Sequence, residues 1–173
     1  MTKLSRRVLE MEESVTLAAS ARAMALKAEG RDILSLTLGE PDFVTPENIQ
    51  DAALSSIKNG KASFYTAASG LPELKDAIST YMENFYGYAV SRNQVVVATG
   101  AKFILYAAFA TLIDPGDEVI IPTPCWVSYV DQVKMLDGVP VTFQTTEEND
   151  FKATVSQLEA ARTDKTKLIL LNS

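Results

Sequence analysis

The sequence predicts an α/β fold, with a mostly parallel sheet and flanking helices, and three observations support this prediction. The chain has 173 residues, of which 47% are hydrophobic, enough to form one packed core. From residue 94 onward, short apolar runs rich in β-branched residues alternate with segments of helical period. Turn residues such as Asp114-Pro-Gly116 separate these segments. This alternation is typical of βαβ units, whose strands are parallel.

The second half of the chain supplies most of the predicted elements. Strands are predicted at 94–98, 118–121, 139–143 and 167–171, and helices at 100–113, 125–136 and 154–162. Thr154 is a predicted helix cap, and Gly138 is the predicted stop of the preceding helix. The sheet stops on a strand with no helix after it, a pattern that indicates a fragment of a longer protein.

The first 93 residues follow a different pattern. A strand at 33–38 is predicted among three helices, at 14–29, 45–58 and 71–86. Thr45 and the proline after it predict a capped start for the second of these helices. We interpret this part as an arm, a loop and helices that pack against the α/β body, not as a separate core.

Composition excludes several classes of function. The chain has 16 Lys+Arg against 22 Asp+Glu, a net charge of -6, which argues against nonspecific binding to nucleic acid or to an anionic membrane. No apolar run approaches the roughly 20 residues of a membrane span, and the first residues lack the pattern of a secretory signal. The single cysteine, Cys125, cannot form an internal disulfide, so a cytoplasmic location is expected. Histidine is absent, which removes Ser–His and Cys–His catalysis, and no metal site is expected.

The segment Val97-Ala-Thr-Gly-Ala-Lys102 is the strongest local signal for a binding site. A predicted strand ends in small residues there and a helix starts at once, so free backbone amides and the positive end of the helix dipole can hold an anion. Gly100 and Ala101 are small enough to let a phosphate approach. The alternative is a tight turn that needs small residues for packing, because the segment matches neither a Walker loop nor a dinucleotide fingerprint. Lys102 can be a lysine that bonds to a cofactor, a phosphate contact or a solvated charge.

Trp126, the only tryptophan, follows the carboxyl end of the next predicted strand, where open α/β sheets bind ligands. Its ring can stack on a planar cofactor or can belong to the core. Ser128 and Tyr129 can donate hydrogen bonds to a ligand or can be ordinary helix residues. Gly39 and Tyr65 lie in predicted loops, where Gly39 can expose its amide to a carboxylate and Tyr65 can reach a phosphate. A plain turn and half-buried packing are the alternatives at these two positions.

Five motifs occur in one order along the chain. They are Leu38-Gly-Glu-Pro-Asp-Phe43 with a following Thr-Pro, Tyr65-Thr-x-x-x-Gly70-Leu-Pro-Glu-Leu, Thr99-Gly-Ala-Lys102, Asp114-Pro-Gly-Asp-Glu-Val119 and Pro122-x-Pro-x-Trp126. Their order and spacing resemble those of the class I, aspartate-type aminotransferases, which are enzymes of fold type I that depend on pyridoxal 5'-phosphate (PLP). The resemblance extends from about residue 4 to residue 173. It implies an N-terminal arm and loop at 1–45 and the first part of the large PLP-binding domain at 46–173.

The resemblance implies a role for each candidate. Backbone amides at Gly100, Ala101 and Lys102 are implied to hold the PLP phosphate, so Lys102 is not the lysine that bonds to the cofactor. Trp126 is implied to stack on the pyridine ring and to border the substrate. Gly39 is implied to meet the substrate carboxylate, and Tyr65 to reach the phosphate of the neighbouring subunit in a homodimer. Cys125 departs from the family, because many relatives have an aromatic residue there.

The implied activity is transfer of an amino group between an L-amino acid, best guessed as aspartate, and a 2-oxo acid. In relatives the catalytic lysine, the aspartate at the ring nitrogen and the carboxylate-binding arginine lie beyond the point where this chain stops. We therefore expect no catalytic residue in this chain and no activity from it alone. The alternatives are a PLP-dependent carbon–sulfur lyase of the same fold, a non-catalytic effector-sensing domain of this type, and a truncated fragment without function.

Overall fold

The structure, a computed structural model, describes residues 3–9, 11 and 14–172. They divide into two compact units, one within Met1–Ala18 and Gly100–Ser173 and the other within Ala19–Thr99. In chain order the helices are α1 (Arg6–Leu9), α2 (Val15–Ala28), α3 (Glu47–Lys58), α4 (Pro72–Tyr86), α5 (Ala101–Leu112), α6 (Ser128–Lys134) and α7 (Val155–Ala161). The strands are β1 (Glu118–Thr123), β2 (Val139–Gln144) and β3 (Thr166–Ile169). None of the described helices is long and apolar enough to cross a membrane.

The sheet has three parallel strands in the order β2-β1-β3, which confirms the predicted α/β class. Val119, Ile120 and Ile121 in the central strand are completely buried. Because successive side chains of a strand point to opposite faces, burial of three in a row means that both faces of β1 are covered. Three of the four strands predicted in the second half are therefore present, each within two residues of its predicted ends.

The core beside the sheet joins the two helices that flank β1. Phe109 lies in α5, and Ile113 is the residue after that helix. Both pack with Val119 and Ile121 of β1 and with Val133 of α6. Apolar side chains of two helices thus cover one strand, the arrangement that a βαβ unit requires.

Gly138 is not the helix stop that the sequence predicts, and this prediction is wrong. Helix α6 ends at Lys134, and the residue that adopts a left-handed backbone is Asp137, with φ 57°. A Cβ at Gly138 would lie 3.0 Å from Ile113 Cγ2 and 3.0 Å from Val133 Cγ1. The glycine is therefore required by close packing of the turn against the core, and not by its backbone angle.

Helix α1 is attached to the same turn. The Arg6 guanidinium donates a hydrogen bond of 2.9 Å to Asp137 Oδ1, and Arg7 Nε lies 3.7 Å from Asp137 Oδ2. Both arginines are exposed, so this attachment contributes little stability, about 0–1 kcal/mol.

The Ala19–Thr99 unit corrects three predictions. The backbone forms no strand at 33–38 or at 94–98; a short 3-10 turn, Arg92–Gln94, ends at residue 94, and residues 95–98 belong to no helix or strand. A strand needs a neighbour to hydrogen-bond, whereas Leu34 and Leu36 are each 87% exposed. Helix α3 is capped by Pro46 without a side-chain hydrogen bond, so Thr45 is not its cap.

Within this unit the chain around residue 97 is positioned by the loop before α4. Val97 N–H donates to the Ser69 carbonyl at 3.0 Å. A Cβ at Gly70, whose φ is 104°, would lie only 2.8 Å from Val97 Cβ. The glycine of the predicted Tyr-Thr-x-x-x-Gly motif thus permits a close backbone approach that no other residue allows.

Candidate active site

Helix α5 begins at a glycine that is required by its backbone angle. Gly100 has φ 80° and ψ 156°, and no side chain caps the helix. A Cβ at Gly100 would meet no atom within 4 Å, so packing does not explain the small residue. The first amides of a helix have no intrahelical acceptor, and here the residues after Gly100 have no side-chain cap either. The turn therefore presents donors and the positive end of the helix dipole to an anion.

Trp126 lies next to this helix start. The Lys102 Nζ atom lies 4.8 Å from the centroid of the indole ring, within the range of a cation–π interaction. Trp126 comes three residues after the carboxyl end of β1 and is 37% exposed. It is not one of the buried residues of the core, which leaves its ring accessible for a flat ligand. The structure thus brings two of the predicted site residues together, Lys102 at the start of α5 and Trp126 after β1.

Tyr129, in the first turn of α6, contacts the indole. The two rings meet edge to face, with centroids 5.3 Å apart and an interplanar angle of 85°. The Tyr129 hydroxyl donates a hydrogen bond of 3.1 Å to Asn172 Oδ1, just after β3. The sequence alone does not decide the role of Tyr129, although it lies only three residues after Trp126. Asn172 is not predicted by the sequence as part of the site.

Gln132 is a second residue that the sequence does not indicate. It is 6% exposed, and its Nε2 donates a hydrogen bond of 2.8 Å to the Lys102 carbonyl in the first turn of α5. Its Oε1 is the one buried side-chain N or O atom without a partner among the described residues. The only available signal is an amide residue in an otherwise apolar helix face.

Cys125 precedes the indole and packs against the core. Burial raises the pKa of the Cys125 thiol above its ordinary value. A thiol with a raised pKa holds less of the reactive thiolate at neutral pH than a free thiol does.

Gly39 and Tyr65 belong to the Ala19–Thr99 unit. Gly39 is exposed, and a Cβ there would meet nothing within 4 Å. The Tyr65 side chain is fully exposed, which contradicts the half-buried packing alternative. The roles of both residues toward a substrate or a neighbouring subunit stay predictions.

Comparison with known proteins gives one consistent result. Residues 31–173 match the family described as aminotransferase class I and II. An asparagine–oxo-acid transaminase of Streptococcus mutans is 76% identical over 173 residues, which are 100% of this chain and 44% of that protein. An aspartate aminotransferase of Bacillus subtilis is 47% identical over 171 residues, or 99% of this chain and 43% of that protein.

Solved structures agree with the sequence comparison. The aspartate aminotransferase of Rhizobium meliloti superimposes with a TM-score of 0.94 at 43% identity, covering 100% of this chain and 43% of that one. The Thermus thermophilus enzyme, solved with maleate, gives 0.95 at 39% identity, covering 100% and 45%. The chain thus spans less than half the length of these relatives. With the family match over most of its residues and the same fold in the solved structures, the chain belongs to the aminotransferase class I and II family.

Proposed function

We propose that this chain forms the phosphate-binding and ring-binding part of an enzyme that uses PLP to transfer an amino group between an L-amino acid and a 2-oxo acid. The observation that carries the proposal is the contact between the uncapped start of α5 and Trp126, with Lys102 Nζ 4.8 Å from the indole centroid. The uncapped start of α5 suits an anion, and the indole of Trp126 suits a flat aromatic ring. PLP combines both groups in one small molecule.

The residues of the site fit PLP by their chemistry. The amides of Ala101 and Lys102 bind phosphate oxygens, and the positive φ of Gly100 opens the turn for them. The exposed part of the Trp126 ring stacks on the pyridine. When bound, PLP would supply an electron-withdrawing ring that makes the α-proton of the amino acid easier to remove. This chain's own contribution is to hold and orient the cofactor.

Two further roles rest on the family resemblance. Gly39 exposes backbone near the substrate carboxylate, and Tyr65 binds the phosphate of the partner in a homodimer. The exposure of both residues supports these roles, because a group that serves a ligand or a second subunit must be accessible.

The proposed amino donor is aspartate or its amide, asparagine. Several relatives that are 46–47% identical to this chain are aspartate aminotransferases. The relative that is 76% identical is an asparagine–oxo-acid transaminase, and its name makes asparagine the second candidate for the amino donor. The names of these relatives support transamination over the carbon–sulfur lyase alternative.

The phosphate site is tested with a matched pair of charge variants. Gly100 and Gly116 both have positive φ, 80° and 90°, and at neither position would a Cβ meet an atom within 4 Å, so aspartate strains the backbone at each position but clashes with no neighbour at either. A carboxylate about 4 Å from a phosphate costs about 1–4 kcal/mol, depending on solvation. We expect Gly100→Asp to weaken phosphate binding by about tenfold or more. We expect Gly116→Asp to leave it unchanged. Amide NMR shifts of residues 101–103 on phosphate titration give the measurement, and equal shifts in both variants would contradict the site.

Transamination is tested in a chimera. Residues 1–173 of this chain replace the matching 44% of the Streptococcus mutans relative, with which they share 76% identity. We expect the chimera to bind PLP and to transaminate asparagine or aspartate, and Gly100→Asp to abolish both properties. A folded chimera that binds PLP but has no activity with either amino acid would contradict the proposed function.

A further inference from the structure

Gln132 connects the two halves of the proposed site. It lies on α6, six residues after Trp126, and its side chain reaches across to the backbone of Lys102 in the first turn of α5. The bond is short, 2.8 Å between Nε2 and the carbonyl oxygen, and it is shielded from water because Gln132 is 6% exposed. It therefore ties the helix that follows the indole to the turn that presents the amides.

The amide oxygen of the same side chain indicates that Gln132 is not present merely to fill space in the core. Gln132 Oε1 is buried and has no hydrogen-bond partner in the part of the chain that the structure describes. A buried amide oxygen without a partner destabilises a fold, and an apolar side chain of equal length would avoid that cost. The orientation of the amide follows from its partner, since only the nitrogen can donate to a carbonyl. What the glutamine adds over an apolar residue is the bond to Lys102.

A cofactor with a phosphate and a ring is sensitive to the spacing between its two binding groups. If the turn and the indole move apart, each end of the cofactor can still bind alone, but both cannot bind well together. We propose that Gln132 is a positioning residue that sets the spacing between the phosphate-binding turn at Gly100–Lys102 and the ring-binding face of Trp126. This inference rests on the proposed PLP site.

The test uses three probes that have no aldehyde and so cannot react with lysines: inorganic phosphate, pyridoxine and pyridoxine 5'-phosphate. Their affinities for the chain are measured by calorimetry, together with the melting temperature. Gln132→Met removes the donor and keeps the length of the side chain, and Gln132→Glu keeps the shape but replaces the donor with a carboxylate. Gln157→Met is the matched control, because Gln157 Nε2 also donates to a backbone carbonyl, that of Gln144, at 3.2 Å.

We expect both Gln132 variants to weaken pyridoxine 5'-phosphate about three- to tenfold, the range that one lost hydrogen bond produces. In Gln132→Met, which adds no charge, phosphate and pyridoxine alone should bind as in the wild type. Gln132→Met should melt at the same or a higher temperature, because no unpartnered oxygen remains, and Gln157→Met should lower the melting temperature without changing the three affinities. An unchanged affinity for pyridoxine 5'-phosphate in Gln132→Met, or a loss of the same factor for all three probes, would overturn the inference. If the wild-type chain binds none of the probes, the proposed PLP site itself fails, and the spacing role fails with it.

Discussion

The Lys102 ammonium lies over the ring of Trp126, 4.8 Å from its centroid, although the two residues are 24 positions apart in the sequence. The contact joins the start of α5 to the segment after β1, and it involves the only tryptophan of the chain. Spectroscopy of a single indole therefore reports directly on this site.

Replacing Lys102 with methionine should make the Trp126 indole more accessible to solvent. A cation–π interaction at an exposed site contributes about 0.5–1 kcal/mol, and methionine retains the apolar contact but not the charge. We expect acrylamide to quench Trp126 fluorescence more efficiently in Lys102→Met than in the wild type. Lys165→Met, at an exposed position before β3, is the control and should show wild-type quenching. Identical quenching in all three proteins would mean that the cation–π contact does not hold in solution.

Trp126 variants should separate stacking from packing. Phenylalanine preserves an aromatic face, whereas alanine removes it. We expect Trp126→Phe to retain most of the affinity for pyridoxine 5'-phosphate and Trp126→Ala to lose about 1–3 kcal/mol, by analogy with the stacking of bases on aromatic side chains. Calorimetric titration measures the affinities. Equal affinities in the three proteins would assign Trp126 to packing alone.

Treatment with PLP and borohydride should leave Lys102 without stoichiometric label. Borohydride traps any lysine that has bonded to the PLP aldehyde, and efficient bonding requires an amine held close to the aldehyde carbon with a lowered pKa. Lys102 is exposed and is held over the indole. We expect low labelling spread over several lysines when the peptides of this chain are mapped. One full equivalent of label on Lys102 would show that this lysine bonds to the cofactor.

Gly138→Ala should destabilise the fold through a steric conflict. The new Cβ would lie 3.0 Å from methyl groups of Ile113 and Val133, and overpacking of this kind costs about 1–3 kcal/mol. Gly39→Ala is the control, because Gly39 has neither a positive φ nor a neighbour within 4 Å, and it should change stability by less than about 0.5 kcal/mol. Urea denaturation measures the free energy of unfolding. Similar values for the two variants would contradict the packing role of Gly138.

The thiol of Cys125 should react slowly at neutral pH, and its ionisation at alkaline pH should lower the stability of the fold. Because burial raises its pKa, the folded chain has less thiolate at neutral pH than a free thiol has. The folded chain also binds this proton more tightly than the unfolded chain. Stability is therefore expected to fall as the pH rises from the unfolded pKa through the raised folded pKa. Alkylation rates against pH should give a midpoint above that of a small thiol, and Cys125→Ala should remove the alkaline decrease in stability. A midpoint at or below the ordinary value would contradict the burial.

The sequence predicts elements well where the decisive interactions are local. The helix at Val155–Ala161 lies within one residue of its predicted bounds at each end, because its cap is formed by neighbours: the Thr154 hydroxyl accepts a hydrogen bond of 3.2 Å from Gln157 N–H. The segments at 33–38 and 94–98 have equally good strand composition but form no strand. A strand depends on a partner elsewhere in the chain, and composition does not reveal whether that partner is present.

The same distinction applies to the site. Trp126 is a candidate from the sequence because it follows a predicted strand that is present, β1, and ligands bind at the carboxyl ends of such strands. Gly100 is a candidate because it begins helix α5, although the strand predicted before it is not formed. The bond from Tyr129 to Asn172 spans 43 positions, and that from Gln132 to Lys102 spans 30. Contacts of this kind arise only when folded elements meet, so the sequence does not reveal which partner Asn172 or Gln132 has.

The order β2-β1-β3 has a practical consequence for handling the chain. Within the described residues both outer strands have one neighbour only, so their outer backbone groups can pair with a strand of another molecule. Lys167, an exposed charge within β3, opposes such pairing, whereas Ile169 at the end of that strand is half exposed and favours it. Concentrated samples are therefore expected to aggregate through intermolecular β-pairing at β3, and a charged substitution at Ile169 is the first change to make for solubility.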